Sequence, residues 1–173
     1  MMRNLHLPIS EDDLRSLHAY DEVSFTGTLY VGRDQVHQRL VGLLEEGKPL
    51  PVELQGQAIY YMGPSPALPG MVMGSCGPTT SARMDPFTPQ LLSKGLKVLI
   101  GKGPRSAAVH EALEKERAVY VQAFGGCGAL YAKTIVSVET VAFDDLGPEA
   151  LLRLEVKDFP TIVAIDSHGG SVF

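Results

Sequence analysis

The chain has 173 residues, enough for one ordinary domain, and its 45% hydrophobic and 20% charged residues form a composition that can bury a core and stay in water. A formal net charge of −5 gives nucleic-acid binding no electrostatic support, and no apolar run is long enough to span a bilayer. The opening Met1-Met2-Arg3-Asn4-Leu5-His6 carries no apolar signal core, so the expectation is a cytoplasmic protein.

Residues 1–173 read as a single domain, without internal repeat or long linker. Ser10 followed by Glu11, Asp12 and Asp13 is a helix start, with acids at the positive end of the dipole and Leu14 and Leu17 on one side. Val23 to Leu29 alternates apolar and polar residues as a strand does. Asp34 is the expected cap of a helix carrying Val36, Leu40, Leu43 and Leu44, ended by Gly47 and Pro49. Ala58 to Met62 is a short strand, followed by a Gly/Pro-rich loop from Gly63 to Thr80 of a length that is often functional.

Pro86 to Lys94 reads as a helix closed by Gly95, and Val98 to Ile100 as a buried strand running into Gly101-Lys102-Gly103-Pro104. Ser106 starts a helix with Val109, Ala112 and Leu113 on one face. Val119 to Ala123 is a strand broken by Gly125-Gly126-Cys127-Gly128. Ile135 to Phe143 and Leu154 to Val156 are extended, and Thr161 to Ile165 pairs with Val172-Phe173 across the turn Asp166 to Gly170. Alternating strands and helices, with strands dominating the end, predict an α/β domain with a mixed sheet.

Three loops carry unusual chemistry. In Gly32-Arg33-Asp34, Arg33 offers a guanidinium fork beside a helix start, or else is a surface cation next to a capping Asp34. Gly74 to Asp85 packs glycines and hydroxyls, Thr79 among them, ahead of Arg83 and Asp85. Its alternative is a capping loop with an internal Arg83–Asp85 pair, and Asp85 is expected to orient Arg83. Lys102, set between glycines at a strand end, faces the crevice where α/β sheets bind ligands, or is a solvated turn lysine. His37, one turn after Arg33, either helps position it or lies on the helix surface. Arg33, Arg83 and Lys102 with Thr79 point to a site for a small polyanion such as a dicarboxylate.

Two cysteines, Cys76 and Cys127, are too few for a structural zinc or a cubane cluster, and both read as structural. His6, His18, His110 and His168 form no metal spacing. No metal ligand is therefore expected from this chain.

The strings Gly77 to Asp85 (GPTTSARMD) and Leu99 to Ser106 (LIGKGPRS) resemble the β subunit of class I fumarate hydratases, and L-tartrate dehydratase β subunits are similar. The resemblance extends to Gly32-Arg33-Asp34 with His37, to Ile59 to Pro64, and to Glu155 to Pro160. It implies a swivelling β/β/α domain that closes on a partner α subunit carrying a 4Fe-4S cluster, in a heterotetramer of two α and two β subunits. Arg33, Arg83 and Lys102 would then bind the substrate carboxylates, with Thr79 at the position of proton abstraction and Asp85 and His37 in support.

The activity so implied is reversible dehydration of (S)-malate to fumarate, with no cluster bound by this chain and no activity alone. Tartrate is the alternative substrate, and a stand-alone dicarboxylate-binding module the alternative of a different class. An exposed apolar patch for the α subunit is expected as well.

Overall fold

The computed structural model describes residues 2–63, 67, 69–124 and 127–173. Pro64 and Pro66 of the long loop, and Gly125 and Gly126 of the later glycine break, lie outside the described residues. The strands are β1 (Arg3–Leu7), β2 (Glu22–Val31), β3 (Ala58–Tyr60), β4 (Val98–Gly101), β5 (Val119–Gln122), β6 (Ile135–Ala142) and β7 (Leu151–Ile165). The helices are α1 (Glu11–Ser16), α2 (Asp34–Glu45), α3 (Thr88–Ser93), α4 (Ala107–Lys115) and α5 (Gly128–Ala132), with 3-10 turns at Ser81–Met84 and Asp144–Glu149.

Among the described residues the strands form one seven-stranded sheet in the order β1-β2-β3-β4-β5-β7-β6. β1 to β5 run parallel, while β7 is antiparallel to β5, β6 and β2. Because β7 pairs with β2 as well as with β5, the sheet closes on itself. The mixed α/β expectation therefore holds.

The period-2 alternation of side chains sorts two cores. Val23, Phe25, Tyr60, Val98, Ile100, Val119 and Val121 point inward against Leu152, Leu154, Phe159 and Val163 of β7. The intervening Tyr30, Ile59, Leu99 and Tyr120 point the other way, against Val36 and Leu40 of α2, Leu91 and Leu92 of α3, and Val109 and Leu113 of α4. The short parallel strands β3, β4 and β5 are thus buried on both faces, as their nearly continuous apolar sequences require. No helix among the described residues is long and apolar enough to cross a membrane.

Several elements differ from the sequence reading. Ser10 and Ser106 do cap α1 and α4, accepting from Asp13 N at 3.1 Å and Val109 N at 3.4 Å. Asp34 is not a cap: Arg33 takes that place with extended backbone and no side-chain cap bond. α3 begins at Thr88 rather than Pro86, because Asp85 to Phe87 continue the 3-10 turn, with Phe87 N–H donating to Met84 O at 2.9 Å. The segments Leu154–Val156 and Thr161–Ile165 are parts of one strand.

Asp158 passes through positive φ (55°), held by an Asn4 Nδ2 bond to its carboxylate at 2.7 Å, and Pro160 follows within the strand. Val163 N–H donates to Asp21 O at 2.8 Å, so alternation turns the nitrogen of Pro160 away from β2. There it falls between the stretches of β7 paired with β6 and with β5, where no ladder bond is asked of it. The expected terminal hairpin is a single bridge, Ile165 to Ser171, plus Val172 N–H to Ala164 O at 2.9 Å.

β1 lies against β2 through Leu7 and Gly27, where Gly27 has φ of +129° and β7 shifts register. A Cβ there would press into the backbone oxygen of Leu7. Gly27→Ala is expected to cost about 3 kcal/mol in urea unfolding, combining backbone strain with steric overlap; a loss below about 1 kcal/mol would contradict this reading of the β1–β2 contact.

Candidate active site

The parallel strands β2, β3 and β4 end side by side, and each feeds a sequence-predicted loop. β2 runs into Gly32-Arg33, with Gly32 N–H donating to Tyr60 O at 3.2 Å. Beyond β3, Tyr61 N–H donates to Ile100 O at 2.9 Å, and the Tyr61 carbonyl accepts from Thr79 N at 2.7 Å. β4 runs into Gly101-Lys102, where Lys102 bridges to Thr80 and its carbonyl accepts from Ser81 N at 3.0 Å. The segment Pro78–Ser81 is therefore wedged between the ends of β3 and β4, putting Thr79 and Lys102 on the same edge. Gly101 is required by this wedge, since a Cβ on it would overlap Ser81 Oγ and reach 2.7 Å from Tyr61 Cδ2.

Arg83 stands on the following 3-10 turn and reaches across to α2, its Nη2 bonding Asp34 Oδ2 at 2.6 Å. Arg33 bonds Glu149, on the turn that leads into β7, and its guanidinium lies over the backbone of Gly63, 2.7 Å from where a Cβ would stand. The connected order along the edge is Glu149, Arg33, Asp34, Arg83, then Thr79 and Lys102. The structure thus joins Arg33 to Arg83 through Asp34, and Thr79 to Lys102 through the wedge.

Charge on this edge is already partly matched. Both arginines hold carboxylates, whereas Lys102 has no acid within ion-pair distance among the described residues. The half-buried Thr79 presents a hydroxyl with no hydrogen-bond partner among the described residues. The site is an open shelf rather than a pocket: the Arg83 side chain is 60% exposed. A hollow of about 420 Å³ lies elsewhere, lined by Leu44, Lys48 to Leu54 and Lys94, and contains none of the four residues.

One expectation about the supporting residues changes, for Asp85, and one open alternative closes, for His37. Asp85 does not orient Arg83; its carboxylate bonds Arg105 Nε at 2.6 Å and Ser106 N at 2.7 Å. Asp85 closes the 3-10 turn beyond Arg83, pointing into the protein while Arg83 points out. His37 is not on the helix surface. It is buried, its ring edge-on to Tyr61 at 5.3 Å, and its Nδ1 lies 2.7 Å from the Arg33 carbonyl oxygen. A carbonyl only accepts, so Nδ1 carries the proton. Burial pushes the His37 pKa down to about 4 against that hydrogen bond, with Arg105 lowering it further, and the ring is neutral at pH 7.

Arg105 is the site-proximal residue that sequence reasoning missed, although it lies in the quoted Gly101–Ser106 string. An arginine beside glycine and proline reads as solvated; nothing local announces that two tyrosines 15 residues or more away enclose it.

Cys76 is buried, bonded to Gly74 O at 3.0 Å, and burial pushes its thiol up to about 11. Among the described residues no group of three His, Cys, Asp or Glu side chains converges. The side chains present do not fit the ligand set of an iron–sulfur cluster.

Beside Thr79, the loop 69–78 packs on α5, with Cys76 N–H donating to Gly128 O at 3.1 Å. Met71, Val72, Phe124 and Leu130 are exposed there, and Val136 and Val138 continue the apolar surface onto β6.

Cations and a hydroxyl without a partner among the described residues stand together on the strand ends of a closed, mixed α/β sheet. The chain belongs to the fumarase C-terminus family, whose sequence description matches residues 2–173. It is 38% identical to fumarate hydratase 1, mitochondrial, of Leishmania major over 100% of this chain and 32% of that protein. It is 40% identical to the anaerobic class I fumarate hydratase of Escherichia coli (strain K12), over 87% of this chain and 28% of that enzyme. The chain therefore spans about a third of the fumarate hydratases it matches. Against the L(+)-tartrate dehydratase subunit beta of E. coli (strain K12), identity is 37% over 99% of this chain and 87% of that subunit. These relatives are hydro-lyases by name.

The His37 environment sets a pH dependence. Between pH 6.5 and 4 the unfolded chain binds a proton on this residue that the folded chain refuses, so stability rises with pH across that window and falls as pH drops through it. Urea unfolding should show a loss of roughly 3 kcal/mol from this residue between pH 7 and pH 4. His37→Gln is expected to flatten that slope; an unchanged slope would assign it to other groups.

Proposed function

We propose that this chain supplies the carboxylate-binding half of a hydro-lyase, acting as the β subunit or domain that completes an active site with a cluster-bearing α partner. The observation that carries the reading is the shelf itself: Arg33, Arg83, Lys102 and Thr79 on adjoining strand ends in a member of this family. An open cationic shelf flanked by exposed Met71, Val72 and Leu130 supports closure by a second protein surface. On this reading the chain moves as one swivelling unit, in a heterotetramer of two α and two β subunits. Two free cysteines suit the reducing cytoplasm.

The substrate is a four-carbon dicarboxylate, (S)-malate interconverting with fumarate. Its carboxylates replace Glu149 on Arg33 and Asp34 on Arg83, with Lys102 taking the remaining anionic oxygen. Holding both ends fixes the orientation for elimination. The same cations stabilise the charge that builds beside a carboxylate as its neighbouring C–H proton leaves. Thr79 Oγ1 takes that proton as an alkoxide, its own hydroxyl proton having passed to solvent; an alcohol is a weak base near neutral pH, and the unpaired ammonium of Lys102 on the same edge lowers the cost of that oxyanion. The 4Fe-4S cluster belongs to the partner, where it supplies Lewis-acid assistance to the departing hydroxyl.

Tartrate as substrate is the second reading, favoured by the near full-length match to a tartrate dehydratase β subunit. It differs from malate by one hydroxyl and uses the same shelf.

An anaerobic hydration assay compares the chain alone with the chain mixed with its reconstituted cluster subunit, first on fumarate and then on tartrate. Activity confined to the mixture is expected, and the preferred substrate names the reaction. Thr79→Ala is expected to lower kcat by roughly 100-fold or more with KM changed much less. Dicarboxylate binding without turnover in any mixture would instead identify a stand-alone binding module.

A further inference from the structure

We propose that Arg105 is a positioning residue that fixes the shelf from beneath, holding Lys102, Thr79 and Arg83 in one geometry without touching substrate. The inference rests on the reading of that shelf as the substrate site.

The Arg105 side chain is fully buried. Its Nε donates to Asp85 Oδ1 at 2.6 Å, and its Nη2 to Thr88 Oγ1 at 2.9 Å and to the Tyr61 hydroxyl at 3.3 Å. The guanidinium lies over the rings of Tyr61 and Tyr120, 5.2 and 4.8 Å from their centroids. Burial alone would draw its pKa down. Tyr61, the bond and charge of Asp85, and Tyr120 more than offset that, so the group stays charged.

Asp85, Tyr61 and Tyr120, three of the groups around this buried cation, each lead to the shelf. Asp85 closes the turn that carries Arg83 and ties Ser106 back to it. The carbonyl of Tyr61 holds the Thr79 amide. The Tyr120 hydroxyl lies 2.8 Å from both Ser81 Oγ and Gly103 O. Since Gly103 O only accepts, Tyr120 donates to it and Ser81 donates to Tyr120. Ser81 Oγ in turn accepts from Lys102 N at 3.0 Å.

A directed chain thus runs Lys102 N–H to Ser81 to Tyr120 to Gly103, and it flanks Lys102 in sequence and in space. Even Arg33 is reached, since His37 packs on Tyr61 and bonds the Arg33 carbonyl. A packing role alone would call for an apolar side chain. A planar fork held between two rings and a carboxylate fixes three loops at once.

The test uses the full chain and its reconstituted complex. Arg105→Lys keeps a cation for Asp85 but loses the fork to Thr88 and Tyr61. Arg105→Met combined with Asp85→Asn removes both charges of this pair, which separates folding from positioning. For both, a cooperative melt should persist while amide exchange at Ser81 and Lys102 speeds up at least about tenfold. The kcat/KM of folded complex should fall about 100-fold in both, although each still melts cooperatively.

Exchange and kcat/KM within about twofold of wild type in either folded variant would overturn the proposal, leaving Arg105 a stabilising residue only. If wild-type mixtures show no hydration, the substrate reading has failed, and the amide-exchange comparison alone decides whether Arg105 orders the Lys102 loop.

Discussion

Strand β7 is the constraint on which the rest of the molecule depends. Over fifteen residues it pairs with β2 along one edge and with β6 and then β5 along the other. That double engagement closes the sheet and leaves β3, β4 and β5 apolar on both faces, one toward β7 and one toward the helices. It also leaves the C-terminal ends of β2, β3 and β4 abreast at one rim. Loops at that rim are free to carry charge because the strands beneath them are fixed by packing. β7 itself is shaped by local chemistry, with Asp158 tolerating the left-handed region and Pro160 placed where its missing N–H is not needed.

A second principle governs the layer under the rim. Removing one partner of a buried ion pair costs more than the pair contributes, because an uncompensated charge is left behind. Arg105 and Asp85 form such a pair, supplemented by Thr88, Tyr61 and the Ser106 amide. His37 meets the same environment by remaining neutral. Above this dry layer Arg83 and Arg33 are accessible and matched by exchangeable carboxylates, Asp34 and Glu149. The rim therefore sets accessible, internally paired charge above and fixed charge below.

The sequence was most informative where local chemistry decides. Ser10 and Ser106 as caps, the alternation of Val23 to Leu29, and the glycines around Lys102 were all legible, as were Arg33, Arg83, Lys102 and Thr79 as a cation and hydroxyl group. What escaped depends on distant residues. β1 was missed because Arg3 to Leu7 becomes a strand only by lying on β2. β7 read as two pieces because Asp158 and Pro160 are breakers in any local view. α5 was hidden in five residues after a glycine run. Asp85 was assigned to Arg83 by proximity in sequence, whereas its partner is 20 residues ahead. Glu149, bonded to Arg33 across 116 residues, gave no local sign at all.

The most direct test of the account is a crystal structure of this chain with the cluster-bearing partner proposed for it and succinate, a dicarboxylate that has no hydroxyl to lose. The account predicts carboxylate oxygens within about 3 Å of Arg33, Arg83 and Lys102, with Glu149 and Asp34 displaced from the arginines. Succinate held elsewhere, with both internal ion pairs intact, would contradict it.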